Sequence, residues 1–178
     1  MPKNNAGADF AAIIDQNYAR VYNLLLRLVG DSDTAADLTQ DVFVRAFQAW
    51  PYFRGESQVY TWLYRIAVNV ARNFLDRRAR ERRLHFSPSA DEEREIEPVD
   101  PTHRPEELAE SNELGQLLLQ ELNRMRPEHR EIIVLRDIEG LSYKEIAQIL
   151  GCSIQAVKSK LFRARSVLRQ RLAPYLGW

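Results

Sequence analysis

Apolar residues recur at intervals of three and four along most of this chain, the spacing of one face of an α-helix. Phe10, Ile13, Ile14, Tyr18, Val21, Tyr22, Leu25 and Leu28 predict a first helix over residues 9–29, ended by Gly30. Asp31, Ser32 and Asp33 offer caps for a second helix over 34–50. Its apolar face is Leu38, Val42, Phe43, Ala46, Phe47 and Trp50, and Pro51 stops it. A third helix over 58–83 buries Leu63, Ile66, Ala67, Val70, Ala71 and Phe74. Pro105, followed by two glutamates, starts a fourth with Leu108, Leu114, Leu117, Leu118, Leu122 and Met125 on one side. Pro127 starts a fifth, which buries Ile132, Ile133, Leu135 and Ile138 and ends at Gly140. No stretch reads as a strand, and nothing repeats.

Residues 141–171 carry the densest local signals. Ser142 and Glu145 form a capping box at the start of a short helix whose apolar side is Ile146, Ala147, Ile149 and Leu150. Gly151 supplies a left-handed break. Ser153 caps a longer helix with Ile154, Val157, Leu161, Ala164 and Leu168 at helical spacing, stopped by Pro174. Small Ala147 permits a close crossing, and Val157 packs back on the first helix. This is the pattern of a helix-turn-helix. Between the apolar positions stand Gln155, Lys158, Ser159, Lys160, Phe162, Arg163 and Arg165, and residues 154–172 hold six basic residues and no acidic one. A basic second helix with amide and guanidinium groups suits the DNA major groove. A merely solvated basic hairpin would not need the cap, the small residue, the glycine turn and the one-sided charge together.

Charge changes the picture of the whole. The 178 residues hold 25 acidic and 25 basic side chains, yet the charge is segregated. Residues 63–86 carry seven arginines against Asp76 and Glu81, a net of +5. Residues 87–112 carry nine acidic residues against Arg94 and Arg104, a net of −7, and residues 154–172 carry +6. Two basic blocks separated by an acidic one point to two nucleic-acid surfaces. The proline-rich, nearly apolar-free stretch 87–104 cannot bury enough surface to fold alone, so it reads as a flexible acidic linker. The expected class is all-α: two small helical domains, 9–86 and 105–178, joined by that linker, after a disordered tail over 1–8.

Candidate chemistry is confined to binding. The single Cys152 forms no intrachain disulfide, and His85, His103 and His129 have no metal-ligand spacing with it, so no metal or cofactor is expected. No paired carboxylates, nucleophile–base set or phosphate loop marks an enzyme. No signal peptide or membrane span is evident, and the default location is the cytoplasm. The second helix has a compact acidic and polar flank of Asp33, Asp37, Thr39, Gln40 and Asp41, fit for a basic groove on a partner. The loop 51–57 holds Tyr52, Phe53, Arg54 and Gly55, and the third helix after it shows Tyr60, Trp62, Arg65, Asn69, Arg72, Asn73, Arg77 and Arg80. Aromatics interleaved with Arg and Asn suit stacking on unpaired bases and pairing with phosphate.

Three segments, in this order, resemble the extracytoplasmic-function (ECF) group of bacterial RNA polymerase sigma factors in the sigma-70 superfamily. DTAADLTQDVFVRAF (33–47) is similar to the polymerase-docking helix, FRGESQVYTWLYRIAVNVARNFL (53–75) to the −10 and melting segment, and LSYKEIAQILGCSIQAVKSKLFRAR (141–165) to the −35 reader. The resemblance implies that domain 9–86 is sigma region 2 and domain 105–178 sigma region 4. It implies docking of Asp37, Leu38, Gln40, Asp41 and Phe43 on the β′ coiled coil of core polymerase. It implies that Phe53, Arg54, Gly55, Glu56 and Ser57 capture a flipped base, that Asn69 and Asn73 read or hold that strand, that Trp62, Tyr64 and Arg65 support strand separation, and that Trp62, Arg65 and Arg72 belong with them to the −10 DNA-binding set. Gln155, Ala156, Lys158, Ser159, Phe162, Arg163 and Arg165 match positions facing duplex DNA at −35. The second domain would also dock on the β flap, an anti-sigma factor is an expected partner, and the factor performs no covalent chemistry. Ala35 and Ala36 depart from the acidic residue often found in the docking segment. No built-in regulatory extension is expected.

Two other classes compete. A helix-turn-helix regulator with an N-terminal sensory domain would bind duplex DNA without acting as a polymerase subunit, but a sensor needs no single-strand platform. A helical adaptor binding through the acidic second helix needs no basic reading helix.

Overall fold

The computed structural model describes residues 6–85 and 113–176, all of its regular structure helical. The linker 87–104 and the expected helix start at Pro105 lie outside the described residues. In the first domain, α1 (Ala6–Val29) buries Phe10, Val21, Leu24, Leu25, Leu28 and Val29. Asn17, buried on the same helix, satisfies its amide by donating to the Ile13 carbonyl at 2.8 Å. Asp31 caps α2 (Ser32–Ala49) by accepting the Thr34 amide at 2.8 Å. Helix α2 buries Ala35, Leu38, Thr39, Val42, Phe43 and Ala46 against α1 and α3 (Val59–His85). Pro51 ends α2 by passing the chain into a 3₁₀ turn, Trp50–Tyr52, where its missing amide costs nothing.

The second domain comprises α4 (Glu113–Arg124), α5 (Pro127–Ile133), α6 (Tyr143–Leu150) and α7 (Ile154–Leu176). The fifth helix does not run on regularly to Gly140. From Val134 to Ile138 it widens into a π turn, and the Glu139 and Leu141 amides reach back to the Val134 and Leu135 carbonyls at 2.9 and 3.1 Å. That widening turns Arg136 toward the Leu141 carbonyl (2.6 Å) and sets the entry to α6. Pro174 does not end the last helix, which continues to Leu176. The proline sits in the final turn, so it costs one main-chain hydrogen bond without breaking a helical interior.

The two domains pack on each other. Tyr64 and Val68, both fully buried, lie on the flank of α3 away from its core stripe, whereas Ile66 and Phe74 of that stripe are only half-buried. The closest joint is made by Arg130 on α5, which is 5% exposed. Its guanidinium donates to the carbonyls of Leu122 (2.9 Å), Asn123 (2.5 Å) and Met125 (3.3 Å) at the end of α4, and to Leu28 (2.8 Å) at the end of α1. One cation thus closes the C-termini of helices from both domains, where unpaired carbonyls and the negative dipole end favour positive charge. Burial pulls its pKa down to about 10, still well above neutral. Gly30, at φ +79°, lets the chain turn beside this joint, and a Cβ there would come 3.2 Å from the Asn123 side-chain oxygen. No helix among the described residues is long and apolar enough to cross a membrane.

Replacing Arg130 by Met would strand buried carbonyls on two helices. The expected loss is about 3 kcal/mol, from hydrogen bonds worth about 1.5–3 kcal/mol when one partner is charged. Urea unfolding of Arg130→Met against the exposed Arg126→Met, expected within about 0.5 kcal/mol of the parent, measures it. Equal effects would refute the clamp.

Candidate nucleic-acid interface

The second basic block forms a surface through local rules. Ser142 accepts the Glu145 amide at 3.2 Å while Glu145 accepts the Ser142 amide at 2.8 Å, completing the capping box. Gly151 takes the left-handed conformation, φ 65° and ψ 39°, that closes α6. Ser153 accepts the Ala156 amide at 3.1 Å and starts α7. Val157, Leu161 and Ala164 are buried, which fixes the roll of α7. At 100° per residue, Gln155, Ser159, Phe162 and Arg163 then fall on the opposite side. Gln155, Lys158, Phe162 and Arg163 are exposed, while Ser159 and Ala156 are half-buried. Phe162 is 78% exposed, an apolar ring held in water at the centre of a basic face. Two basic members are tied to neighbours. Lys158 lies 5.8 Å from the Tyr143 ring centroid, and Arg165 pairs with Asp137 on the π turn through two hydrogen bonds, which raises its pKa.

The first basic block is more heterogeneous. Phe53 is not a free ring. It stacks on Trp50 (5.3 Å between centroids, 15° between planes) and meets Trp62 at 5.0 Å, and its amide donates to the Trp50 carbonyl at 3.1 Å. This aromatic trio roots the loop. Arg54, Gly55 and Glu56 are exposed beyond it, Ser57 is half-buried, and Gly55 turns the loop at φ +70°. A cleft of about 220 Å³ opens beside the loop, lined by Glu56, Ser57, Thr61, Trp62, Arg65 and, from the other domain, Gln148. The Thr61 hydroxyl is buried there without a hydrogen-bond partner. Arg65, Asn69 and Asn73 are exposed along one side of α3. Arg72 is diverted: it makes a bidentate pair with Glu131 at 2.8 and 2.6 Å, and that carboxylate raises its pKa. Tyr64, buried, donates its hydroxyl to Glu139 at 2.7 Å; burial, with this bond, raises its pKa strongly.

On α2, Asp37, Gln40 and Asp41 are exposed and share a face, while Leu38 and Phe43 lie beneath it in the core. Sequence reasoning missed the rest of this face. Val44 and Phe47 continue it at 57% and 55% exposure, although Phe47 was expected inside. Its ring meets Phe10 edge-on at 5.4 Å. Tyr18, also exposed, stacks on Phe43 at 5.8 Å. Tyr52, named with the loop aromatics but given no role of its own, is 82% exposed at the loop root. No group of three or more potential metal ligands occurs among the described residues.

Comparison with known proteins identifies the two domains. Residues 13–81 match the family profile described as Sigma-70 region 2, and residues 115–168 match Sigma-70, region 4. The chain is 36% identical over 161 residues to an RNA polymerase sigma-H factor of Pseudomonas aeruginosa, covering 88% of this chain and 82% of that protein. It is 35% identical over 174 residues to an ECF RNA polymerase sigma-E factor of Escherichia coli K12, covering 94% and 88%. Among solved structures it is similar to the sigma factor RpoE of Bartonella quintana, crystallised with the anti-sigma factor NepR, at TM-score 0.70 and 27% identity over 92% of this chain and 96% of that one. It is also similar to CnrH in complex with the cytosolic domain of CnrY, at TM-score 0.64 and 25% identity over 93% and 88%.

The capping box carries a pH signature. The Ser142 hydroxyl, and then that of Tyr60, hold Glu145 below the ordinary carboxylate range. With a folded pKa below the unfolded one, the stabilisation is complete above the unfolded pKa and is lost as pH falls through the folded value. Ser142→Ala should cost about 1 kcal/mol at neutral pH. Thermal melts from pH 7 to pH 3 should show the gap from the parent narrowing below about pH 4. A gap constant with pH would contradict the assignment.

Proposed function

The chain belongs to the ECF group of the sigma-70 family of transcription initiation factors, and from that premise we propose how its residues divide the work. The protein binds core RNA polymerase and promoter DNA and acts in initiation, in a family that is not enzymatic. The observation that best supports a residue-level reading is the outward row Gln155, Ser159, Phe162 and Arg163 on α7, opposite a stripe that is fully buried. In this reading the row enters the major groove at −35. Gln155 and Arg163 reach base edges, Phe162 meets thymine methyls, and Lys158 and Arg165 hold phosphates, Arg165 after leaving Asp137.

At −10, the loop 53–57 and the exposed side of α3 hold the unpaired strand. Unstacking a base costs a few kcal/mol, and an aromatic platform returns about 1–3 kcal/mol per base. Trp62 and Phe53 fix the loop so that a flipped base enters the cleft beside Ser57 and Thr61, whose hydroxyl is without a partner. Asn69 and Asn73 line the path of the strand, with Arg65 near phosphate. On α2, Asp37, Gln40 and Asp41 with Val44 and Phe47 form the polymerase-docking face, and Leu38 and Phe43 support it from below. The same mixed acidic and apolar face offers an anti-sigma factor a means of competing with polymerase. One of the similar solved structures is a complex with an anti-sigma factor, which supports that partnership here.

Two substitutions test the division. Arg163→Ala should weaken −35 discrimination by about 1–3 kcal/mol, the value of one good base contact, and leave binding to core polymerase unchanged. Equal loss of both would reject the role. Asn69→Ala with Asn73→Ala, both exposed, should reduce permanganate reactivity of unpaired thymines more than duplex binding. Unchanged opening would reject the −10 assignment.

A further inference from the structure

Residues 154–172 hold no acidic side chain, so a carboxylate on the exposed side of α7 must come from another element. Asp137 supplies it. Arg165 donates from Nε to Asp137 Oδ2 at 3.0 Å and from Nη2 to Asp137 Oδ1, with the two side chains 47% and 34% exposed. Asp137 belongs to the π turn Val134–Ile138, where the apolar spacing predicts a regular helix. Such widenings recur at functional sites. The same turn brings Arg136 over the Tyr143 ring at 4.8 Å, and Lys158 lies 5.8 Å from that ring. Lys158 and Arg165 stand two helical turns apart and therefore share one side of α7. The patch thus gathers Arg136, Lys158 and Arg165 around one anion. Its place fits a backbone contact, because the first helix of a helix-turn-helix crosses the phosphates while the second reads bases.

We propose that Asp137 is a positioning residue for Arg165 that works as a tethered competitor: it holds the guanidinium in place of a backbone phosphate and so restrains sequence-independent binding of the chain to duplex DNA. The proposal rests on the −35 reading above for the surface involved, and it adds the anion which that reading leaves without a task. A phosphate at Arg165 must displace Asp137. The exchange trades one ion pair for another and leaves a carboxylate beside the DNA backbone. Pairs as exposed as this one are weak enough to be displaced. Phosphate contacts are driven by release of counterions from DNA. Asp137, once freed, gathers a cation from solution and offsets that release. Arg165 then adds little to affinity or to its salt dependence, while contacts to base edges keep their full value. The restraint matters because a genome offers about 10⁶–10⁹ competing non-specific sites. A chain that stuck to them would be withheld from polymerase.

The test uses the full chain and a labelled random-sequence duplex about two helical turns long, with binding read by fluorescence anisotropy across a salt series. Asp137→Asn should tighten binding about three- to tenfold at low salt and steepen the salt slope by up to about 0.9, the share of one phosphate. Asp137→Glu, which keeps the charge, should bind as the parent does. In an Arg165→Gln background, Asp137→Asn should have no effect on binding. Helical circular dichroism should match the parent, since Asp137 is exposed, and Asp137→Ser serves if the amide perturbs the turn. Unchanged or weaker binding by both Asp137 variants, while Arg165→Gln weakens it, overturns the competitor. Equal tightening with and without Arg165 also overturns it, because plain repulsion would then suffice. If Arg165→Gln, Lys158→Gln and Arg163→Ala all leave duplex binding unchanged, the −35 reading itself fails and the proposal falls with it.

Discussion

The arrangement of this molecule depends on one buried guanidinium. Arg130 closes the carbonyl ends of α1 and α4 together, and those ends belong to different domains. A helix end inside protein leaves carbonyls that water cannot reach, and each unpaired one is costly. Because Arg offers several donors in a fixed fork, one side chain serves four carbonyls, and the helices must keep their relative position for it to do so. Everything else at the joint follows from that placement: the Glu131–Arg72 fork, the Glu139 contacts to Tyr64 and Arg27, and α6 lying against α3.

The joint also explains which parts of the protein could be read from its residues. Features governed by neighbours in sequence were legible. The Asp31 and Ser153 caps, the capping box of α6 and the left-handed Gly151 stand as the spacing predicts, and the apolar stripes of α1 and α7 do so apart from Tyr18 and Ile154, which are exposed. Features governed by distant partners were not. Tyr64 and Val68 are buried because a second domain covers them, and no periodicity within α3 says so. Glu131 and Glu139 look like solvated charges until Arg72, Arg27 and Tyr64 arrive from far along the chain. The π turn at Val134–Ile138 and the helix passing through Pro174 are tertiary outcomes that override local propensity.

For the candidate sites the same division holds. The side chains expected to face DNA on α7 are largely exposed because the buried stripe sets the roll of that helix. On α2 and α3 the spacing mixed exposed residues with buried support. Leu38, Phe43 and Phe53 hold the surfaces from behind, whereas Val44, Phe47 and Tyr52 lie on them. An initiation factor must bind polymerase strongly and promoter DNA only in its company. A neutral total charge is consistent with that order of events.

Transcription by core polymerase from a randomised promoter library, with and without the full chain, tests the central claim most directly. The account predicts transcripts only when the chain is present, from templates sharing two short elements about two helical turns apart or more, the upstream one duplex-specific. A chain that binds duplex DNA alone but directs no initiation would contradict it.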